Sequence, residues 1–198
     1  MTRIVIMAGG TGGHVFPALA VARELKRRGA EILWIGTRAG IEGRVVPAAG
    51  FDCAWIRIKG LRRRHIWDYV LLPFRMLLAL WQSWRAFRRF KPDAALAMGG
   101  FVAGPGGLMA RLTRTPLVVH EQNARAGFTN RHLAVMAERV LSGFPATFDI
   151  AGAQHVGNPV RADILALPAP EVRFAGRTPP LRVLVVGGSQ GARIFNRV

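Results

Sequence analysis

Cysteine and long apolar runs are nearly absent from this chain of 198 residues. Its single cysteine, Cys53, excludes an internal disulfide framework and is compatible with a reducing compartment. The longest apolar stretch, residues 70–84, is interrupted by Arg75 and is shorter than the roughly 20 apolar residues that a membrane-spanning helix needs. The apolar run at residues 4–8 leads directly into glycines, so it is predicted to be a strand and not a signal peptide. We therefore expect a cytoplasmic protein that does not cross a membrane.

Acidic residues are also scarce. The chain has 11 Asp and Glu against 28 Lys and Arg, which gives a formal net charge of +17. Such an excess predicts an acidic partner, either nucleic acid or the anionic face of a lipid bilayer. The length and the apolar content of 51% suffice for one core but are short for two complete α/β domains.

The distribution of the positive charge favours the bilayer. Bulky apolar residues recur at three- and four-residue spacing between residues 66 and 87, with arginines on both sides, which predicts an amphipathic helix. Aromatic rings beside cations are typical of a helix at a membrane surface. The predicted membrane face consists of Trp67, Phe74, Arg75, Trp81 and Arg85. The alternative is a helix packed against the core with a solvated basic side.

Strand and helix patterns alternate along most of the chain. This order predicts an α/β fold in which helices flank a parallel, Rossmann-like sheet. Strands are predicted at residues 3–8, 31–36, 54–58, 93–98, 116–120, 139–142 and 154–156, and helices at 17–28, 42–48, 107–112 and 129–137. Prolines predict a linker over residues 163–180, between a first domain at 1–162 and the beginning of a second domain at 181–198.

Three glycine-rich turns follow predicted strands, at residues 8–14, 99–107 and 187–192. Glycine allows a close approach of the backbone to a ligand, and the start of a helix attracts anions, so these turns are predicted to bind phosphates. A dinucleotide fingerprint is disfavoured, because it would require glycine at position 15, where the chain has Val15. No phosphate-loop lysine follows any turn, and the histidines are too scattered to predict a metal site.

Five motifs in this order resemble the MurG family of bacterial N-acetylglucosaminyltransferases. They lie at residues 7–17, 99–107, 120–123, 156–161 and 185–192, so the resemblance extends along essentially the whole chain. It implies a GT-B fold and the inverting transfer of N-acetylglucosamine from UDP-GlcNAc to the C4 hydroxyl of lipid I, which yields lipid II for peptidoglycan. It also implies a peripheral position on the cytoplasmic face of the bacterial inner membrane and no cofactor held by the protein. Much of the donor site would lie beyond Val198, so this chain alone is expected to be inactive.

Candidate site residues follow from the required chemistry and from the resemblance. Inverting transfer needs a base near the acceptor hydroxyl, and an imidazole suits that task near neutral pH. His14 is the first candidate and Glu121 its rival, although His14 could instead cap the turn or hold a phosphate, and Glu121 could be structural. The resemblance implies UDP-GlcNAc contacts for Thr11, Gly12, Gly13, Asn123, Arg161 and Ser189, and acceptor-diphosphate contacts for Gly99, Gly100, Gly104, Gly106 and Gly107. It gives His120 and Asn130 supporting positions, whereas Phe101 and Ala103 depart from the tyrosine and serine often found there.

Two other functions stay open at this point. One is a related GT-B transferase that acts on another lipid acceptor, such as a diacylglycerol. The other is a non-enzymatic basic module that binds nucleic acid, which would show salt-sensitive retention on DNA or RNA even without the aromatic residues. The ordered motifs favour the lipid I transferase, with lipid I, UDP-GlcNAc and an anionic membrane as partners and no nucleic acid.

Overall fold

A computed structural model describes residues 1–58, 71–180 and 182–184. The chain divides into two compact units, Met1–Arg161 and Ala162–Val198. In the second unit the described elements are two short helices, Ala162–Leu165 and Pro170–Phe174. The predicted strand and third glycine turn at residues 181–192, including Ser189, lie outside the described residues apart from 182–184, and so does Trp67.

The first unit alternates strands and helices. Its elements are β1 (Arg3–Ala8), α1 (Gly12–Arg27), β2 (Glu31–Gly36), α2 (Glu42–Ala48), β3 (Asp52–Trp55), α3 (Leu72–Phe90), β4 (Ala94–Gly99), α4 (Ala103–Leu112), β5 (Leu117–Glu121), α5 (Phe128–Ala134), β6 (Arg139–Ser142) and β7 (Gln154–His155).

All strand pairs of this unit are parallel, in the order β3-β2-β1-β4-β5-β6-β7. The chain therefore builds the sheet outward from β1 to β3, returns to the other side of β1 for β4, and continues outward to β7. The point between β1 and β4 is a topological switch point, where loops leave in opposite directions and open α/β sheets bind ligands. The predicted Rossmann-like α/β fold is confirmed.

The sheet is buried on both faces. On β1, Val5 and Met7 join one hydrophobic cluster with Phe87 of α3, whereas Ile6 and Ala8 join a second cluster with Val15 of α1. Successive side chains of a strand point to opposite faces, so each face of the sheet receives its own helices. This packing holds the carboxyl ends of the central strands in fixed positions.

Several boundaries differ from the sequence-based expectations. Helix α1 begins at Gly12 and not at Pro17, and α4 begins at Ala103 and not near Gly107. Glycine has a low helix propensity, and for that reason the sequence pattern assigns it to loops. In the folded chain tertiary packing overrides that preference, so both glycine-rich motifs continue into the first turns of helices.

Candidate active site at the carboxyl edge of the sheet

The first two glycine turns contact each other at the switch point. Gly100 adopts φ +81°, and a Cβ atom there would collide with the carbonyl oxygen of Gly9. The ring of Phe101 packs against Gly10, since an ideal Cβ on Gly10 would lie 3.1 Å from its Cε1 atom. The turns after β1 and β4 therefore form one continuous backbone surface.

His14 lies in the first turn of α1, against the end of β4. Its Nδ1 is 3.0 Å from Thr11 Oγ1. Gly99 has φ +99°, and an ideal Cβ there would lie 2.6 Å from Cδ2 and 2.9 Å from Nε2 of His14. Only glycine leaves room for the imidazole at this backbone conformation. The same ideal Cβ would lie 3.3 Å from Asn130 Nδ2, so His14, Gly99 and Asn130 converge.

The electrostatics of this pocket keep His14 neutral. Burial lowers the pKa of its imidazole below the ordinary value of 6.5, and the nearby charge of Glu121 opposes this effect only in part. When Nδ1–H donates to Thr11 Oγ1, Nε2 keeps the lone pair that a base needs. The neutral ring is the form that a general base needs, although burial also makes the protonated form less favourable.

Glu121 is a buried acceptor at the end of β5, with 1% of its surface exposed. Its Oε1 accepts hydrogen bonds from the backbone and side-chain nitrogens of Asn123, at 3.0 and 2.7 Å. Its Oε2 accepts from the Gly127 backbone nitrogen and from Asn130 Nδ2, at 3.1 and 3.0 Å. Four donors occupy this carboxylate and fix the loop between β5 and α5. This geometry makes Glu121 a buried acceptor, and its role as an alternative base stays a prediction.

His120 ties two of the sequence motifs together. Its Nε2 donates to the carbonyl oxygen of Gly157 at 3.0 Å, so its Nδ1 accepts from Gln122 Nε2 at 2.9 Å. Burial lowers its pKa, against the hydrogen bond to Gly157 and the charge of Glu121, which raise it. Asn158 Nδ2 donates to the Gln122 carbonyl oxygen at 3.1 Å. The motif at residues 156–161 is thereby held beside the motif at residues 120–123.

The glycines of the second turn divide into two groups. Gly99 and Gly100 form the turn itself, and a Cβ on Gly104 would be only in ordinary contact, 3.7 Å from Thr129 Cγ2. Gly106 and Gly107 are buried within α4. A Cβ on Gly106 would collide with Met7 Sδ, and one on Gly107 would lie 2.5 Å from Leu133 Cδ2. Their lack of side chains serves helix packing, and a contact of these two glycines with a diphosphate stays a prediction.

The other predicted ligand contacts follow the carboxyl ends of β1, β5 and β7 in the chain. Thr11, Gly12 and Gly13 form the junction of the first turn with α1, and Gly13 is exposed. Asn123 is exposed, and Glu121 accepts from its amide nitrogen, so a ligand would meet its Oδ1. Arg161 is exposed at the end of the first unit. Among the described residues, no three His, Cys, Asp or Glu side chains are grouped as metal ligands would be.

The sequence pattern did not indicate that Glu42 takes part in this site. Glu42 begins α2 and is completely buried, and its Oε2 accepts a hydrogen bond from the backbone nitrogen of Gly10 at 3.2 Å. The sequence pattern showed only an acidic residue at the start of a short helix, which is common. A glutamate closely preceded by glycines, Gly36 and Gly40, is the signal that could have indicated a crowded carboxylate.

The outer face of α3 carries the exposed aromatic residues. Phe74 is 68% exposed and Trp81 is 51% exposed, whereas Phe87 is buried on the inner face. Arg85 lies 5.8 Å from the Trp81 ring centre. The inner face of α3 packs against the core, as the alternative expected, whereas Phe74 and Trp81 on the outer face do not. In the described ranges, 1–58, 71–180 and 182–184, no helix combines the length and apolarity that membrane crossing requires.

The family model of the glycosyltransferase family 28 N-terminal domain matches residues 4–142, which is more than half of the chain. The chain belongs to glycosyltransferase family 28. The matched range contains both glycine turns, His14 and the Glu121 network, so the described site lies almost entirely within the family 28 domain.

Named relatives extend the likeness beyond that domain. The chain is 54% identical over 193 residues to the UDP-N-acetylglucosamine--N-acetylmuramyl-(pentapeptide) pyrophosphoryl-undecaprenol N-acetylglucosamine transferase of Alkalilimnicola ehrlichii. The matched region covers 98% of this chain and 54% of that protein. It is 52% identical to the protein of the same name from Coxiella burnetii, over 100% of this chain and 55% of that protein. The chain thus spans about half the length of the curated relatives it matches.

A solved structure agrees with these relatives. The crystal structure of Acinetobacter baumannii MurG superposes with a TM-score of 0.81 at 38% sequence identity, over 100% of this chain and 55% of that chain. The resemblance to the MurG family is confirmed, and this family 28 domain has the Rossmann-like fold of a GT-B N-terminal half.

Proposed function

We propose that this chain is the acceptor-side half of an inverting hexosyltransferase that moves N-acetylglucosamine from UDP-GlcNAc to the C4 hydroxyl of lipid I. The observation that carries the proposal is the convergence of His14 with the two glycine turns at the sheet's switch point. The names of the relatives indicate the substrates, namely an N-acetylglucosamine donor and a muramyl-pentapeptide acceptor linked to undecaprenol by a diphosphate.

His14 is the proposed general base. The acceptor hydroxyl would donate its proton to Nε2 while its oxygen attacks the anomeric carbon from the face opposite the departing UDP, and the C–O bond to UDP breaks. Thr11 Oγ1, 3.0 Å from Nδ1, would stabilise the imidazolium that forms. The negative charge of Glu121, which accepts a hydrogen bond from Asn130, would favour the imidazolium, because it opposes the lowering of the His14 pKa by burial.

The backbone of the two glycine turns is the proposed cradle for the acceptor diphosphate. Gly99 and Gly100 form the turn itself. Gly104 is included because an ideal Cβ there would make only an ordinary contact. The start of α1, with Thr11, Gly12 and Gly13, offers N–H groups to the donor side. Asn123 and Arg161 are proposed to orient the donor, the first through Oδ1 and the second through its guanidinium group.

The outer face of α3 is proposed to rest on an anionic membrane surface. Phe74 and Trp81 would enter the headgroup region, with Arg75 and Arg85 near lipid phosphates. A lipid-linked acceptor cannot leave its bilayer, so a transferase that uses it needs such a surface. We therefore propose a peripheral position on the cytoplasmic face of the bacterial inner membrane.

The proposal is tested by sugar transfer from radiolabelled UDP-GlcNAc to lipid I. Because the chain spans about half the length of its relatives, the assay uses this chain joined to the C-terminal half of the Coxiella burnetii relative, with the isolated chain in parallel. Labelled lipid II is expected from the joined protein only. Transfer to a diacylglycerol acceptor instead of lipid I would contradict the proposed acceptor, and failure with both lipids would contradict the transferase.

A further inference from the structure

A buried carboxylate lies directly behind the first glycine turn. Glu42 accepts three hydrogen bonds, from the backbone nitrogen of Gly10 at 3.2 Å and from the backbone nitrogen and hydroxyl of Thr37 at 3.1 and 2.7 Å. Gly10 belongs to the turn after β1, and Thr37 follows the end of β2. One side chain therefore connects the loops of two adjacent strands on the edge where the site lies.

Glycines leave the space that this carboxylate occupies. An ideal Cβ on Gly9 would lie 2.5 Å from Glu42 Oε1, and one on Gly36 would lie 2.8 Å from Glu42 Cγ. Gly40 would also collide with the carboxylate if it carried a side chain. A charged group at 0% exposure is costly to bury unless it is fully hydrogen-bonded, and the donors on Gly10 and Thr37 meet that requirement.

We propose that Glu42 is a positioning residue that holds the first glycine turn in its diphosphate-binding conformation. The Gly10 N–H bond keeps that turn at φ +88° and sets the direction in which the following residues, Thr11 to His14, enter α1. Glu42 does not touch the ligand itself, because its carboxylate is buried on the far side of the turn. This inference rests on the proposed function, in which the glycine turns receive a diphosphate.

The direction in which Glu42→Gln changes the affinity for an anion separates positioning of the turn from simple electrostatics. Glu42→Gln removes a negative charge close to an anion site, which by Coulomb's law alone would tighten anion binding. If the carboxylate positions the turn, the same change weakens binding, because the amide group of glutamine cannot accept from all three donors. Thr37→Val removes one of the donors without changing the charge, and it is expected to weaken binding less, in the same direction.

The experiment uses this chain labelled with ¹⁵N and inorganic pyrophosphate as the probe. The amide resonances of Gly12 and Gly13 report pyrophosphate binding, and hydrogen exchange at Gly10 and Thr37 reports the closed turn. For Glu42→Gln we expect an increase of about fivefold or more in the pyrophosphate Kd and exchange at Gly10 faster by about tenfold. Val46→Ala, on the same helix and equally buried, is the matched control that lowers stability without touching the turn.

The outcomes are distinct. Equal or tighter pyrophosphate binding by folded Glu42→Gln, or the same weakening in Val46→Ala, would overturn the positioning role. If the unsubstituted chain shows no pyrophosphate effect at Gly12 and Gly13, the proposed diphosphate site fails. In that case unchanged exchange at Gly10 in Glu42→Gln would contradict the contact between Glu42 and the turn as well.

Discussion

The crevice formed by the glycine turns after β1 and β4 differs from the outer face of α3 in the kind of side chain that is buried. In the crevice, the polar groups of Glu42, Glu121 and His120 are buried, and each has hydrogen-bond partners within the chain. On α3, large apolar groups such as Phe74 and Trp81 are exposed. Buried polar groups require internal partners, and clustered exposed apolar groups indicate an external one. The buried polar groups fix the geometry of the crevice, whereas the exposed aromatic residues of α3 agree with the proposed contact with a membrane surface.

The largest effect is expected from His14→Ala in the joined protein. Loss of a general base lowers kcat by about 100-fold to 10,000-fold. The KM for UDP-GlcNAc should change much less, since the imidazole acts on the acceptor hydroxyl. Steady-state kinetics with lipid I decides this, and near-normal kcat would remove His14 from the role of base.

Gly99→Ala should be the next most damaging change. Its Cβ would meet the His14 ring, and the φ of +99° adds backbone strain of about 1–2 kcal/mol for a residue with a side chain. We expect kcat to fall by about tenfold or more, because the ring must move. Gly29→Ala, at a similar φ of +86° but with no atom within 4 Å of the ideal Cβ, is the control for backbone strain outside the site. Equal effects of both variants would show that the contact with His14 does not matter.

Glu121→Gln tests the polar network of the crevice through stability. A glutamine replaces one acceptor oxygen with a donor group, which leaves two of the four hydrogen bonds to Glu121 unmade. The free energy of unfolding should fall by about 2–4 kcal/mol, measured by urea denaturation of this chain. Exposed Glu138→Gln should change it by less than about 0.5 kcal/mol. A Glu121→Gln variant as stable as the original chain would argue that this carboxylate is not a structural acceptor.

The α3 face is tested by flotation with vesicles that contain anionic lipid. Phe74→Ser and Trp81→Ser should each lower the partition coefficient by about tenfold, because each ring would lose its burial in the bilayer. Arg85→Ala should lower it by about fivefold, in line with roughly 1 kcal/mol for one cation near anionic lipid. Phe128→Ser, at an exposed phenylalanine outside α3, is the control. Equal binding by all variants would place the membrane contact elsewhere.

The smallest effect is a dependence on pH. Burial lowers the pKa of His14 and of His120 in the folded chain, so the unfolded chain binds more protons once the pH falls below about 6.5. The free energy of unfolding should therefore decrease as the pH falls below that value and stay level above it. Denaturation midpoints at several pH values check this, and His14→Gln should reduce the slope. A slope of the opposite sign would mean that the folded chain favours protonated imidazoles.

The fold could be predicted from the sequence because strand and helix patterns depend on neighbouring residues. Strand β2 and helix α2 occupy the predicted ranges, and the glycine motifs follow strands as expected. The errors occur where tertiary packing competes with local preference. A Cβ on Gly106 or Gly107 of α4 would meet Met7 or Leu133 on other elements, so the motif itself does not reveal which glycines packing requires.

Local sequence patterns specify the alternation of strands and helices, the turns that close each strand and the ordered motifs of the family. The tertiary structure determines which polar groups have hydrogen-bond partners on distant parts of the chain. Gly10 and Glu42 are 32 positions apart, and Gln122 and Asn158 are 36 apart, yet both pairs are hydrogen-bonded. Whether a carboxylate is a free base or a saturated acceptor depends on donors brought from such distances. Folding, and not local spacing, sets those partners.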